Sequence, residues 1–227
     1  DYRRVLISSA VFQGLNVCTP KSSHSVSWLD SVPSHWKVLA GKRFHKRLKE
    51  LNHQRLCTNV LSLTLNGVVN NDVSNPIGLV PQDYATYQLF EAGDLVFKLI
   101  DLENRSTSRV GLVHEAGIMS SAYIRVVPGR NSLSKFAYYY YYALYLNDVY
   151  NSLGLGIRST LNYTELLNLP YVEPPLKEQK QIVKFLDYKT EKISASIEVS
   201  QRTTQALFQK KRLLLSEIVL GRKAMGK

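Results

Sequence analysis

Positively charged side chains are the chemically most informative residues of this sequence, and they fall into two segments. Residues 37–55 carry seven Lys or Arg against Glu50 alone, and residues 177–227 carry 12 against five acidic residues. The stretch between them, 56–176, holds seven basic and ten acidic residues. One such segment is often plain solvated surface, but two of them in a chain of net charge +11 favour a polyanionic ligand, nucleic acid first.

Side chains with the spacing of a catalytic or metal-binding site are missing from the sequence. The five histidines do not have the spacing of metal ligands, and Cys18 and Cys57 do not have that of a metal or disulfide pair. The acidic residues are scattered and do not form the cluster of a metal-dependent nuclease. We therefore predict a binding component that is not itself an enzyme and needs no metal or cofactor.

The composition predicts a cytoplasmic protein with a real hydrophobic core. The chain has 227 residues, of which 44% are hydrophobic, and this is enough for one or two domains. No run approaches the 18 apolar residues of a membrane span, and the first residues do not form a proper signal peptide. The sequence starts at Asp1, which leaves open that other residues precede it.

The last part of the sequence has the pattern of one long helix. Pro174 and Pro175 precede a stretch without proline or glycine that ends at Gly221. Proline is tolerated at the start of a helix but not inside it, and glycine commonly follows a helix end. The pattern predicts a helix of about 43 residues, or about 64 Å. Because a small core cannot cover such a rod, we expect it to pair with a partner helix.

Apolar side chains along this helix alternate in steps of three and four residues, which is typical of a coiled coil. The seam consists of Val183, Leu186, Thr190, Ile193, Ile197, Ser200, Thr204, Leu207, Lys211, Leu214 and Ile218. Since its middle is polar, we expect either weaker pairing there or contact with a further subunit. The alternative is a long helix that lies across its own domain.

The preceding residues predict a domain with mixed strands and helices. Helical spacing occurs at 3–12, 37–55, 135–151 and 161–167, and alternation or turn signals predict strands at 59–70, 87–99, 110–113, 121–127 and 170–173. Ser134 is a suitable N-cap for the helix at 135–151. That helix holds five consecutive tyrosines, for which core packing is the favoured interpretation and base stacking the alternative. Trp28 and Trp36 are interpreted as core anchors of an extended strap.

The first helix repeats part of the last one. Residues 3–12 match residues 211–220 at Arg4, Leu6, Ser8 and Val11, which correspond to Arg212, Leu214, Ser216 and Val219. Four identities in ten are a weak signal, because apolar register alone produces some of them. A true repeat would mean that the chain begins with the end of one long helix and finishes with a complete one.

One further set of residues follows the pattern of a known protein family. The most specific part of the match is Pro174-Pro175-Leu176-Lys-Glu178-Gln179, continued by Ile182, Phe185, Leu186, Asp187, Thr190 and Ile193. Further matching positions are Trp28, Val32-Pro33, His35-Trp36, Gly93-Asp94-Leu95-Val96-Phe97, Gly117, Ser120, Ser121, Tyr123, Gly156, Arg158, Leu161, Lys211-Arg212 and Leu215-Ser216-Glu217. With these residues the sequence resembles the specificity subunit of type I restriction–modification systems, and the match extends over nearly the whole chain.

The resemblance implies an α+β fold and a role in sequence-specific recognition of double-stranded DNA. Members of this family carry two target-recognition domains separated by two long antiparallel helices, and each domain reads half of a split target. The helices set the spacing and dock the methyltransferase subunits. This sequence has one recognition domain and one complete helix, so the resemblance implies half of a full subunit or a half-length subunit. In the second case two copies would pair through their helices.

The expected organisation follows from this resemblance. We expect residues 1–27 to be the end of a preceding helix and a linker, 28–173 the DNA-reading domain, and 174–227 the spacer helix. The expected partners are double-stranded DNA, the methyltransferase and restriction subunits, and a second specificity half or a second copy. The rival interpretations are a coiled-coil adaptor that binds protein and an RNA-binding protein that uses its tyrosines.

We predict two kinds of DNA contact within the reading domain. Basic residues of 37–55, with Lys42, Arg43 and Lys46 foremost, would hold phosphates, which position a protein without specifying a sequence. Arg, Lys, Asn and Asp side chains in polar loops suit hydrogen bonds to base edges. The predicted base-reading residues are Lys98, Asp101, Asn104, Arg105, Arg109 and Arg158, supported by Ser121 and Tyr123. Each could instead be an ordinary solvated loop side chain.

Overall fold

The fold was obtained as a computed structural model. It describes residues 2–26, 28–72, 83–103, 106–153 and 160–219, although for residues 218 and 219 only the backbone is described. The predicted base-reading residues Asn104, Arg105 and Arg158 therefore lie outside the described residues. The chain divides into two compact units, Asp1–Lys184 and Phe185–Lys227.

The described residues form an α+β fold, as the sequence predicted. The helices are α1 (Tyr2–Gln13), α2 (Ser134–Leu146), α3 (Val149–Leu153), α4 (Tyr163–Asn168) and α5 (Leu176–Val219). The strands are β1 (Lys21–Ser23), β2 (Ser31–Pro33), β3 (Lys37–Ala40), β4 (His45–Leu48), β5 (Leu61–Thr64), β6 (Gly67–Asn70), β7 (Gln88–Phe90), β8 (Leu95–Phe97), β9 (Val110–Leu112), β10 (Gly117–Met119), β11 (Ile124–Pro128) and β12 (Pro170–Glu173).

A four-stranded antiparallel sheet, in the order β4-β11-β8-β9, lies at the centre of the first unit. The pairs β1–β2, β3–β12, β5–β6 and β7–β10 form small two-stranded sheets around it. The β5–β6 hairpin packs against β9 so closely that a Cβ atom on Gly111 would lie 2.6 Å from Leu63 Cδ1 and 2.7 Å from Val68 Cγ2. Any larger residue at this crossing would force the Leu63 and Val68 side chains to shift.

The tyrosine-rich helix α2 forms much of the core. Tyr139, Tyr140, Tyr141 and Tyr142 are all buried, which confirms the interpretation of this run as core packing. The Tyr140 hydroxyl donates to the carbonyl of Pro170 at 2.6 Å. Because buried tyrosines keep a polar end, such hydrogen bonds are needed to offset the loss of water. Burial also removes the basis for nucleic-acid base stacking on these four rings.

Helix α2 is shorter than predicted. The predicted helix at 135–151 divides into α2 and α3 at Asn147 and Asp148, where Asp148 adopts a φ of +55°. The Asn147 amide donates to the carbonyl of Ala143 and to Ser8 Oγ of α1, both at 2.7 Å. The Asn147 side chain thus donates to a carbonyl at the end of α2 while the backbone leaves the helix. Helix propensity alone does not predict this break.

The N-terminus of α2 also differs from the prediction. Ser134 is the first helical residue rather than the N-cap, and the capping position belongs to Leu133, whose side chain cannot accept a hydrogen bond. The backbone N–H of Leu133 instead donates to Gln179 Oε1 at 2.8 Å. A side chain from a distant part of the sequence thus supplies an acceptor at this helix start.

The prediction of a helix at 37–55 is wrong. The segment forms β3, a 3₁₀ turn at Gly41–Arg43 and β4. Leu39 and Leu48 supplied part of the helical spacing, yet they remain 49% and 42% exposed and do not belong to the core. Pairing of β3 with β12 and of β4 with β11 determines the conformation here, so tertiary contacts override the local pattern.

The predicted strands at 110–113 and 121–127 leave out β10, which begins at Gly117. A Cβ atom on Gly117 would lie 2.6 Å from Leu61 Cγ and 2.8 Å from the carbonyl oxygen of Asn59. The glycine is needed where one strand passes close to another segment, and it does not end the strand.

The start of α5 is held in the first unit by Glu178 and Gln179, the last two residues of the Pro174-to-Gln179 motif. Glu178 accepts hydrogen bonds from His35 Nε2 at 2.7 Å and from Trp36 Nε1 at 2.9 Å. The buried Gln179 donates to the carbonyls of Asn131, at 2.9 Å, and Pro174, at 2.7 Å. The motif therefore joins the Trp-containing strap and the loop before α2 to the first turn of the helix.

The long helix has almost the predicted length, with 44 residues in α5. In the second unit most of its described side chains are exposed, including Leu207, Phe208 and Leu214. The coiled-coil seam remains a prediction. Along it Leu186 is buried, Val183 and Ile193 are half-buried, and Ile197 is exposed. The Ile218 side chain is not described. Within the described residues, no helix is long and apolar enough to cross a membrane.

The buried His45 predicts a pH dependence of stability. His45 is 2% exposed and packs against Tyr141 and Tyr171, and this burial lowers its pKa to about 4. Its neutral form therefore contributes stability above pH 6.5, and this contribution is lost as pH falls towards 4. Between pH 7 and 4.5 we expect the free energy of unfolding to fall by about 2 kcal/mol through this residue.

Urea unfolding at the two pH values tests this prediction. The His45→Phe variant should lose less stability on acidification than the wild type, because it has no group to protonate at this position. Replacement of the exposed His53 by Gln is the matched control for the loss of a histidine side chain. Identical pH dependence in the wild type and His45→Phe would show that His45 does not titrate in this way.

Candidate nucleic-acid interface

Several of the predicted base-reading residues lie at one end of the central sheet. Phe97 pairs with Ile124 and with Val110, so the next positions bring Lys98, Tyr123 and Arg109 to the same edge. The backbone N–H of Lys98 donates to the carbonyl of Arg109 at 3.0 Å, which continues the ladder by one residue. We call this edge, with Lys98, Asp101, Ser121 and Tyr123, the reading end.

Lys98 extends from the end of β8 into this edge. Its side chain is half-buried, and its pKa is lowered by burial and, to a smaller extent, by the nearby Arg109 guanidinium. A partly desolvated ammonium group gains more from a new acceptor than a fully hydrated one, because part of the dehydration has already occurred. This position suits a hydrogen bond to a base or phosphate oxygen.

Arg109 corrects one of the predicted base contacts. Its side chain is only 1% exposed, and its guanidinium donates to the backbone carbonyls of Asp101 at 2.9 Å and Leu102 at 3.0 Å. Burial lowers its pKa. Arg109 is therefore not available to DNA in this conformation. Its guanidinium group, which suggested base reading, instead holds the loop that follows β8.

Asp101 lies at the bend of that loop. It is exposed and adopts a φ of +56°, a conformation that aspartate tolerates better than most residues. Its carbonyl is held by Arg109 from the inside while its carboxylate is left at the surface. Asp101 is thus an exposed residue on a loop that Arg109 holds from the inside, and its contact with a base stays a prediction.

Ser121 and Tyr123 lie on a tight turn between β10 and β11. Ser121 is exposed and Tyr123 is half-buried, and burial raises the pKa of the Tyr123 hydroxyl. The N–H of Tyr123 closes the turn on the carbonyl of Ser120 at 3.1 Å. The Gln88 amide donates to the carbonyls of Tyr123 at 2.6 Å and Ser120 at 3.2 Å.

A buried ion pair lies directly below this turn. Arg125 Nε donates to Asp94 Oδ2 at 2.6 Å, and Arg125 Nη1 donates to the carbonyl of Leu89 at 2.8 Å. Both charged side chains are about 95% buried, so each compensates the charge of the other inside the core. Sequence reasoning missed Arg125 and Gln88, because neither belongs to a recognisable motif; only Asp94 was part of a noted one, with Gly93.

The basic residues predicted to hold phosphates lie along the edge strand of the sheet. Lys42 and Arg43 are in the 3₁₀ turn before β4, and Lys46 is on β4 itself; all three are exposed. Arg47 on the same strand stacks over the exposed ring of Tyr163 at 4.2 Å, which fixes its guanidinium group. We call Lys42, Arg43, Lys46 and Arg47 the basic edge.

The basic edge and the reading end occupy different positions on the central sheet. In the register of β4 and β11, Leu48 pairs with Arg125 and Lys46 with Val127, so Lys42 and Arg43 lie at the opposite end of β4 from the turn that carries Tyr123. A polyanion that contacts both sets must follow the strand. In the described part of the chain, no cluster of three or more His, Cys, Asp or Glu residues could hold a metal ion.

The fold belongs to a known class. A chain from a structural study of complex assembly and conformational transition of the type I R-M system matches 95% of this chain and 51% of its own length, with a TM-score of 0.61 and 14% identity. The crystal structure of the HsdS subunit from Thermoanaerobacter tengcongensis matches 86% of this chain and 44% of its own length, with a TM-score of 0.50 and 14% identity. This chain thus spans about half the length of these solved chains.

The sequence identifies the family. The model of the type I restriction modification DNA specificity domain matches residues 64–216, which is more than half of the chain. The chain belongs to this family, as the sequence resemblance predicted. A search of the curated proteins gives no significant match.

The reassignment of Arg109 gives a prediction about stability. The Arg109→Met variant leaves the partly buried carbonyl of Asp101 and the buried carbonyl of Leu102 without this donor, so the free energy of unfolding should fall by about 3 kcal/mol. Arg43→Met is the control, because Arg43 is exposed and its replacement should change stability by less than about 0.5 kcal/mol. Chemical denaturation measures both. Unchanged stability of Arg109→Met would contradict the structural role.

Proposed function

We propose that this chain recognises a specific sequence of double-stranded DNA as the specificity component of a type I restriction–modification complex. Its membership of the DNA specificity domain family is the observation that carries the proposal. In this proposal the chain performs no catalysis and directs methyltransferase and restriction subunits to a split target. Since its ligand is cellular DNA, its place of action is the cytoplasm.

The arrangement of side chains supports a division of labour in DNA binding. The basic edge supplies cations that can follow a phosphate backbone, which gives affinity and orientation without sequence preference. The reading end supplies an ammonium group, a carboxylate and two hydroxyls, which can donate to and accept from base edges. Asn104, Arg105 and Arg158 are retained as proposed base-reading residues from the sequence, outside the described residues.

The same division provides the experiment that tests the proposal. Selection from randomised duplexes with the full chain should recover a motif, and binding to that motif should weaken steeply with salt. Replacement of Lys42, Arg43 and Lys46 by Gln should reduce the slope of log K against log salt by about 0.9 for each phosphate that is no longer neutralised, for every duplex alike. Absence of a motif would refute sequence-specific recognition, and a flat salt dependence would favour the adaptor interpretation.

Variants at the reading end should behave differently. Lys98→Ala combined with Ser121→Ala should reduce the preference for the selected motif over a scrambled duplex, by about 1–3 kcal/mol for each base that is no longer read. Binding to the scrambled duplex should fall far less, because the basic edge is intact. Titration of both duplexes at one salt concentration measures the ratio. Equal losses on both duplexes would show that these two residues do not read bases.

We further propose that 1–27 is the end of a preceding helix with its linker, 28–173 the reading domain and 174–227 the spacer helix. The length of α5 and the Glu178–Gln179 anchor at its start support the last boundary. Methyltransferase subunits would dock on the basic face of 177–220 and nearby strap residues. A second specificity half, either a separate one or a second copy of this chain, would pair with α5.

Pairing between two copies predicts a measurable mass. Light scattering of the full chain should give twice its 25.8 kDa, because the predicted seam places exposed apolar side chains on α5. Replacement of Leu207 and Leu214 by Lys should give monomers, while replacement of the exposed Lys210 by Gln, outside the seam, should not. A wild-type monomer at all concentrations would exclude the second copy as the partner.

A further inference from the structure

Gln88 is a buried amide whose only described side-chain partners are backbone carbonyls of the reading turn, residues 120–123. The residue is 1% exposed, and its Nε2 donates to the carbonyls of Tyr123 at 2.6 Å and of Ser120 at 3.2 Å. These two carbonyls flank the positions of Ser121 and Ala122. The buried Gln88 side chain therefore holds the turn by hydrogen bonds at both of its ends.

The backbone of Gln88 is itself held on two sides. In β7 it pairs with Met119 of β10, and it forms a β-bridge with Leu51 on the other side. The N–H of Leu89 donates to the carbonyl of Glu50 at 2.8 Å, and the carbonyl of Leu89 accepts from Arg125 at 2.8 Å. Because its own backbone has this little freedom, the Gln88 amide is a rigid support for the turn.

Glutamine is well suited to this role. The NH₂ group of the amide offers two donors, one for each of two carbonyls, and it carries no charge that would need a further partner in the core. A hydrophobic residue of the same size would leave both carbonyls without this donor, and a carboxylate would repel them. The choice of residue therefore matches the need to fix two carbonyl groups at defined positions.

We infer that Gln88 is a positioning residue for DNA recognition, which fixes the turn at 120–123 so that Ser121 and Tyr123 meet the base edges in one geometry. This inference rests on the proposed function, and it adds a residue that does not touch DNA itself. Discrimination between bases depends on hydrogen-bond geometry, so a turn that samples several conformations loses selectivity before it loses affinity.

A merely structural role is the competing explanation, and the chain offers a matched control for it. Gln179 is also fully buried, and its amide also donates to two backbone carbonyls, those of Asn131 and Pro174. It acts at the start of α5 and does not contact the reading end. Gln88→Met and Gln179→Met thus both remove donors to two backbone carbonyls, and Gln179→Met also removes the acceptor of the Leu133 N–H.

The experiment compares the two variants on the duplex selected by the wild type and on a scrambled duplex. Gln88→Met should reduce the ratio of the two affinities about tenfold, the value of roughly one base contact, with scrambled-duplex binding and its salt slope nearly unchanged. Gln179→Met should leave the ratio unchanged, even where thermal unfolding shows that it is destabilised. An unchanged ratio in Gln88→Met, or an equal fall in both variants, would overturn the inference.

A measurement on the wild type covers the case in which Gln88→Met fails to fold. Hydrogen–deuterium exchange should show stronger protection of residues 119–124 on the selected duplex than on the scrambled one. Equal protection on the two duplexes would overturn the inference without any variant. Failure of the proposed function has a different signature, since the wild type would then select no motif at all.

Discussion

The need to satisfy backbone carbonyls outside regular structure shapes the first unit, Asp1–Lys184. Its strands are only three to five residues long, so much of its chain runs through turns and loops that have no ladder partners. Buried polar side chains take over this task. Arg109 holds the loop after β8, Gln88 holds the turn before β11, and Gln179 holds the segment before α2. Each of these donors lies in the core and fixes a surface segment from inside.

This mode of support separates the shape of the surface from its chemistry. A hydrogen bond to a carbonyl does not depend on the side chain that its residue carries, so Ser121 and Asp101 can present polar groups while the backbone below them stays fixed. A DNA-reading surface needs this combination, since discrimination requires rigid geometry and different targets require different side chains. The basic edge has no such requirement, because phosphate contacts depend mainly on charge.

The sequence predicted those features that depend on local pattern. The proline–proline start and late glycine placed α5 nearly to the residue, and the tyrosine run was recognised as core. The helix at 37–55 failed because pairing with β11 and β12 outweighs the spacing of Leu39 and Leu48. The role of Arg109 could not be predicted for the same reason. An exposed loop arginine and a buried arginine look alike in a sequence, and only tertiary contacts distinguish them. The family resemblance covered nearly the whole chain and was confirmed over 64–216.

The central claim is that DNA meets the reading end with its bases and the basic edge with its phosphates. A crystal structure of the full chain with its selected duplex tests this claim most directly. We expect base edges within hydrogen-bond distance of Lys98, Ser121 or Tyr123, and phosphates beside Lys42, Arg43 and Lys46. A duplex bound elsewhere, with the reading end left in solvent, would contradict it.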